Sequence, residues 1–279
     1  MKSYFFAAAF YFASALALGA NYTVTTDIEY SKPGGESLKL DAHVPEGKGP
    51  FPTVILVHGG GWTGGTKTAN FVQPLFPVLD RTGYAWFTLD YRLAPKHPYP
   101  AAIDDVEAAI AWVKSHSKEY KVDPKRIALM GESAGGHLVN LAGARNKGRV
   151  KAVVCFYGPI DLIEFTKQRF GDKPLDKNMT GFFGIKDRLD DAGAAKLREA
   201  SPNTYLGKQT PPFLLIHGTK DEAVPYAQST QHMALMKKIG KRCDRITVQD
   251  GIHGVINWEK DLKFQGYKDE MIAWLKKAL

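Results

Sequence analysis

Cysteine is nearly absent from this sequence. Cys155 and Cys243 are the only two in 279 residues, too few for a crosslinked secreted scaffold or a cysteine-rich metal site. Long runs of one charge are absent too. Lysine and arginine outnumber aspartate and glutamate by 37 to 29, a formal net charge of +8, but they are scattered and form no stripe that would track a phosphate backbone. Nucleic acid is therefore not an expected partner, whereas attraction to an acidic polysaccharide or envelope surface fits the surplus. The sequence has no internal repeat, no low-complexity tract, no H-E-x-x-H pair, no G-x-x-x-x-G-K-[ST] loop and no dinucleotide fingerprint. Neither a metal nor a cofactor is implied.

Only one long apolar run exists, and it comes first. Lys2 precedes the apolar segment Tyr4 to Leu18, and Gly19 and Ala20 follow. A charged start, an apolar middle and a small-residue end describe a secretory signal peptide over residues 1–20, too short to be a typical membrane span. Cleavage after Ala17, Gly19 or Ala20 would remove Lys2 and leave a charge of +8 minus 1, or +7. No cysteine marks the junction for lipid attachment. The expectation is a secreted protein, extracellular or periplasmic, with no stable span after processing; an uncleaved N-terminal anchor is the alternative.

Residues 21–279 are expected to form a single domain. Eight β-rich runs can be read: Tyr22 to Tyr30, Leu38 to Val44, Pro52 to Val57, Tyr84 to Leu89, Ile127 to Gly131, Lys151 to Tyr157, Pro212 to Ile216 and Arg245 to Gln249. Pro33-Gly34-Gly35 between the first two predicts a hairpin. Helical patterns alternate with the later runs, over Phe71–Leu79, Pro100–Glu119, the segment after Gly136, Tyr226–Ile239 and Trp258–Leu279. This alternation predicts a mainly parallel sheet covered on both faces, with ligand-binding groups at the carboxyl ends of its strands. Cys155 and Cys243 then fall two strands apart, so no disulfide is expected between them. Residues 159–211 break the rhythm, with Phe165, Phe170, Phe182 and Phe183 among charges and glycines; a small lid insertion is the reading.

The chemistry centres on Gly131-Glu132-Ser133-Ala134-Gly135, a G-x-S-x-G pattern between a strand-like run and a helix-like one. A serine at the tip of such a turn is exposed above the sheet, and any side chain on the flanking glycines would collide across the turn. Its hydroxyl needs a base, and the base needs an orienting acid. Asp221 follows the seventh run, and His253 follows the eighth between glycines, giving the chain order Ser, Asp, His. Glu222 and Asp250 are the weaker candidates for the acid. His58-Gly59-Gly60-Gly61-Trp62 after the third run supplies a glycine loop whose amides can aim at an oxyanion. Gly60 and Gly61, with Ala134, are the expected donors, and Trp62 is a candidate for the substrate pocket.

With these four elements placed, the chain resembles the α/β-hydrolase superfamily, and within it esterases of the hormone-sensitive-lipase type and their secreted relatives. The resemblance rests on His58 to Trp62, on Asp90-Tyr91-Arg92-Leu93-Ala94-Pro95 with Tyr99-Pro100-Ala101, on the Ser133 turn, and on Asp221 and His253. It implies an α/β-hydrolase fold and a serine esterase without a cofactor. There are departures: little chain precedes His58 to build an N-terminal helical cap, Lys96 stands where an acidic residue is usual, and Glu132 stands where aspartate is commoner. A signal peptide with an abbreviated cap is closer in character to secreted acetylxylan and feruloyl esterases, which implies an ester on plant cell-wall polysaccharide as substrate. The rivals are a broad short-chain lipase-like esterase, an arylformamidase-like amidase, a serine peptidase of the prolyl-oligopeptidase type, and a non-catalytic binding protein on the same fold. Oligomeric state is not legible.

Overall fold

The computed structural model describes residues 21–145 and 148–279; the expected signal peptide lies outside the described residues. Strands β1 (Tyr22–Ser31) and β2 (Leu38–Pro45) form the expected antiparallel hairpin, joined by a 3₁₀ turn over Pro33–Gly35. The chain then runs β3 (Phe51–Val57), α1 (Phe76–Asp80), β4 (Ala85–Leu89), α2 (Ala101–Ser115), β5 (Val122–Glu132), α3 (Ala134–Ala144) and β6 (Ala152–Phe156). Helices α4 (Leu162–Phe170), α5 (Lys177–Phe183) and α6 (Asp191–Ala200) follow. The remainder is β7 (Phe213–Gly218), α7 (Ala227–Lys238), β8 (Cys243–Val248), α8 (Val255–Trp258) and α9 (Tyr267–Ala278).

The eight strands form one sheet in the order β1-β2-β4-β3-β5-β6-β7-β8, antiparallel at β1/β2 and β2/β4 and parallel elsewhere. Alternation along the strands divides the core. On β3, Ile55 and Val57 join Val106 and Ile110 of α2 and Leu138 and Leu141 of α3, whereas Val54 and Leu56 join Val78 and Leu79 of α1 and Met271 and Leu275 of α9. Burial on both faces explains why β3 reads as an unbroken apolar run, and each such aliphatic side chain contributes about 1.5–3 kcal/mol. Register then fixes where function can sit. Val57, Gly131, Cys155, Leu215 and Arg245 pair in one row across five strands, so the loops after β3, β5, β7 and β8 open at the same edge.

Three helices differ from expectation. Phe71–Leu79 is a 3₁₀ turn over Gln73–Leu75 followed by the five-residue α1, because Pro74 and Pro77 each remove an amide donor. The helix expected over Pro100–Glu119 ends at Ser115. The closing helix expected from Trp258 begins at Tyr267; before it, Asp261 accepts the Lys263 amide in a 3₁₀ turn, and Gly266 precedes the helix. The insertion consists of α4, α5 and α6, and each begins with an aspartate whose carboxylate accepts an amide of the first turn: Asp161 from Glu164, Asp176 from Met179 and Asp190 from Gly193. Such caps contribute about 1 kcal/mol each. Cys155 on β6 and Cys243 on β8 are free thiols with β7 between them.

Candidate active site

Ser133 occupies the tip between β5 and α3 with φ of 53° and ψ of −118°, a backbone strain of the kind that clusters at functional sites. The glycines around it make the turn sterically feasible. A Cβ on Gly131 would stand 2.4 Å from the Gly135 carbonyl oxygen, and one on Gly135 would stand 2.2 Å from that of Val57. The Ser133 amide donates to the Phe156 carbonyl at 2.9 Å, which fastens the tip to the end of β6.

The loops after β7 and β8 bring Asp221 and His253 to this serine. His253 Nε2 lies 2.9 Å from Ser133 Oγ, and His253 Nδ1 lies 2.7 Å from Asp221 Oδ2. The other oxygen of Asp221 accepts the Ala223 and Val224 amides at 2.9 and 2.8 Å. Burial would raise the Asp221 carboxyl, but hydrogen bonds from His217 and His253, the His253 charge and the Val224 amide outweigh it and hold the group well below the usual carboxylate range. His217, buried beside it, gives Nε2–H to the Val224 carbonyl at 2.9 Å and accepts from Ser229 Oγ at 2.7 Å. It therefore braces the aspartate and does not approach the serine. Of the competing acids, Glu222 is exposed, and Asp250 is exposed and paired with Lys220 at 3.0 Å.

The loop after β3 closes the other side. Gly60 and Gly61 have φ of 100° and 62°, values that suit glycine. The Gly60 carbonyl accepts from the Thr63 and Gly64 amides in a tight turn. Among the described residues, no acceptor takes the amides of Gly60, Gly61 or Ala134. By contrast, the Gly59 amide is already used, donating to Glu132 Oε1 at 2.6 Å. Burial pushes the Glu132 carboxyl up to about 7, against the charge of His253 and hydrogen bonds from the Gly59 amide and the Tyr157 hydroxyl. Tyr157 also accepts the Val255 amide at 2.7 Å, and its ring stands edge-on to His253 at 4.6 Å between centroids. Glu132 and Tyr157 thus tie the glycine loop to the histidine loop beneath Ser133. In the sequence Glu132 stands out only as a departure and Tyr157 only as the end of a strand, because burial between two loops leaves no periodic signal.

Trp62 is mainly a packed wall. Its ring stacks on Phe182 of α5 at 5.0 Å, and its Nε1 donates to His137 Nδ1 at 3.2 Å. Burial pushes His137 down to about 4, so the neutral ring accepts at Nδ1 while Nε2–H donates to the Ala200 carbonyl at 2.8 Å. One edge of Trp62 still lines a cavity of about 40 Å³ beside Ser133, shared with Ala134, Phe165, Met179 and Val224. A separate cavity of about 770 Å³ lies near Arg145 and Tyr205 beyond the far end of α3 and holds none of these groups. Among the described residues there is no cluster of three or more potential metal ligands, and no helix is long and apolar enough to cross a membrane.

A sheet of this order, a strained serine after its fifth strand and a histidine–aspartate pair on later strand ends define an α/β-hydrolase. The chain belongs to the BD-FAE family, whose model matches residues 40–236. Over 206 residues, 70% of the chain and 47% of the relative, it is 32% identical to the probable carboxylic ester hydrolase LipM of Mycobacterium tuberculosis. It is 33% identical to the esterase LipQ of the same organism over 77% of the chain and 53% of the relative. The chain thus spans about half the length of these curated relatives. A solved structure described as a truncated form of carbohydrate esterase from gut microbiota superposes with a TM-score of 0.80 at 25% identity, covering 94% of the chain and 98% of that structure.

Proposed function

We propose that the protein is a serine carboxylesterase that removes small acyl groups, acetyl above all, from a carbohydrate. The observation that carries this reading is the continuous hydrogen-bond chain from Ser133 Oγ through His253 to Asp221, beside a cavity that Ser133 shares with Gly61 and Ala134. Ser133 Oγ attacks the ester carbonyl while its proton passes to His253 Nε2, and Asp221 stabilises the resulting imidazolium. The carbonyl oxygen gains negative charge and is held by the Gly60, Gly61 and Ala134 amides, each such donor contributing on the order of 3 kcal/mol. His253 returns the proton to the departing alcohol. Water then attacks the acyl-enzyme with His253 as base again, releasing the carboxylic acid and restoring Ser133.

The cavity beside Ser133 argues for a small acyl group. At about 40 Å³ it is only a few times the roughly 10–15 Å³ that one water needs on the same measure, which favours a short acyl group. Helices α4 and α5 supply Phe165 and Met179 to this wall, a covering role for residues 159–211. The kinship with proteins described as carboxylic ester hydrolase, esterase and carbohydrate esterase supports the reaction and the carbohydrate alcohol. Export through cleavage of residues 1–20 belongs to the same reading, since a polymer in the cell wall is met outside the cytoplasm; the N-terminus of the recovered protein tests it. Ser133→Ala should lower kcat on 4-nitrophenyl acetate by about four orders of magnitude and abolish labelling by a fluorophosphonate. Near-normal turnover by the purified variant would overturn the assignment.

A further inference from the structure

Asn178, near the start of α5, reaches from the insertion into the site. Its Oδ1 accepts from Thr63 Oγ1 at 2.8 Å, which fixes the amide plane against the glycine loop. The contact is close: a Cβ on Gly61 would stand 2.4 Å from Asn178 Nδ2, so the amide covers one face of a residue that itself lines the cavity with Ser133. Nδ2 itself donates to no acceptor among the described residues. Asn178 also lines the cavity that contains Ser133.

The polarity of that cavity is divided. Its buried wall is apolar, made by Trp62, Phe165, Met179 and Val224, while Asn178, Asp176 and Arg169 form a partly to fully exposed polar rim. Two members of the rim are occupied. Arg169 donates to the Ala223 carbonyl at 3.0 Å and to Asp176 at 3.2 Å, and the other oxygen of Asp176 caps α5 through the Met179 amide. These bonds brace α4, α5 and the loop after Asp221 into one edge, whereas Asn178 Nδ2 has no acceptor among the described residues. An ester presents its acyl half to the apolar wall, so its alcohol half faces the rim. A fixed amide donor there complements an alcohol rich in hydroxyl and ring oxygens, and it offers less to an aryl alcohol, which carries fewer and weaker acceptors near the ester.

We propose that Asn178 is a specificity-determining residue whose side-chain amide donates a hydrogen bond to the sugar half of the ester. The inference rests on the esterase reading above and deepens it. The experiment compares kcat/KM on an acetylated methyl xyloside with kcat/KM on 4-nitrophenyl acetate for the wild type, Asn178→Ala and Asn178→Asp. Aspartate retains the Oδ1 acceptor for Thr63 and loses the donor. Both variants should lower the sugar-to-aryl ratio about fivefold to tenfold, the worth of one neutral hydrogen bond. Equal losses on both substrates, an unchanged ratio, or a ratio lost in the alanine variant and kept in the aspartate variant would each overturn the role. Wild-type turnover of the aryl ester with none of the xyloside would overturn the carbohydrate reading and this assignment together. Failure of the serine mechanism is visible separately, as aryl-ester turnover that survives Ser133→Ala.

Discussion

Glu132 sits one residue before the nucleophile, fully enclosed, with the Gly59 amide and the Tyr157 hydroxyl both donating to it. Those donors favour a carboxylate, yet burial still pushes the group up to about 7. The folded-state value lies above that of an unfolded glutamate, about 4.3. The stability associated with the protonated form is therefore fully present below about pH 4 and is lost as pH rises through 7. Glu132→Gln, neutral at every pH and able to accept the Gly59 bond, should melt progressively higher than wild type as pH is raised from 5 to 8. A melting difference that does not change with pH would show that the carboxyl is not held in this way. The residues that meet at Ser133 were legible because each follows a strand in a turn that contains glycine. Tyr157 and Asn178 were not, since their roles depend on what the fold lays across them: Tyr157 reads as the last residue of an apolar strand, Asn178 as a polar residue in an unpatterned insertion.

At the level of elements, α5 is the piece that connects the insertion to the sheet edge. Phe182 stacks on Trp62 and meets Phe183 at 4.8 Å, and the Phe182 carbonyl accepts the Tyr99 amide at 2.7 Å. Phe182→Ala should therefore cost about 3–5 kcal/mol, read by denaturant unfolding, and should raise KM more than it lowers kcat, because Asn178 and Met179 ride on the same helix. A loss below 1 kcal/mol would mean that the stack does not anchor α5. The sheet itself was readable from the sequence, where short β-branched apolar runs such as Val54 to Val57, bounded by proline and glycine, point to strands covered on both sides. Helix boundaries were less readable. Pro74 and Pro77 were visible as breakers but not the 3₁₀ turn they leave, and the Asp261 turn that delays α9 to Tyr267 is a local side-chain bond competing with an otherwise helical pattern.

Across the whole molecule, no covalent crosslink holds the fold. Burial pushes the Cys155 and Cys243 thiols up to about 12 each, so both resist forming the reactive thiolate. Cys155 accepts hydrogen bonds from Asn140 Nδ2 at 3.0 Å and from the Gly158 amide at 3.4 Å. A thiol reagent at pH 8 should react with neither cysteine in the folded protein and with both in urea, and the melting temperature should be the same with and without dithiothreitol. A reductant-dependent melt would reveal a crosslink that this sheet order forbids without rearrangement.

The division of labour across the sheet edge also bears on how such a protein diversifies. The nucleophile stands in a turn hemmed in by backbone atoms, as Gly135 shows with the Val57 carbonyl oxygen 2.2 Å from where a Cβ would be, so almost any inherited change there is costly. Phe165, Met179 and Asn178 belong to two short helices outside the sheet, α4 and α5, where a substitution alters the wall or the rim without moving the nucleophile. A descendant lineage would thus inherit its reaction and acquire its diet separately, the first purified by selection and the second free to drift.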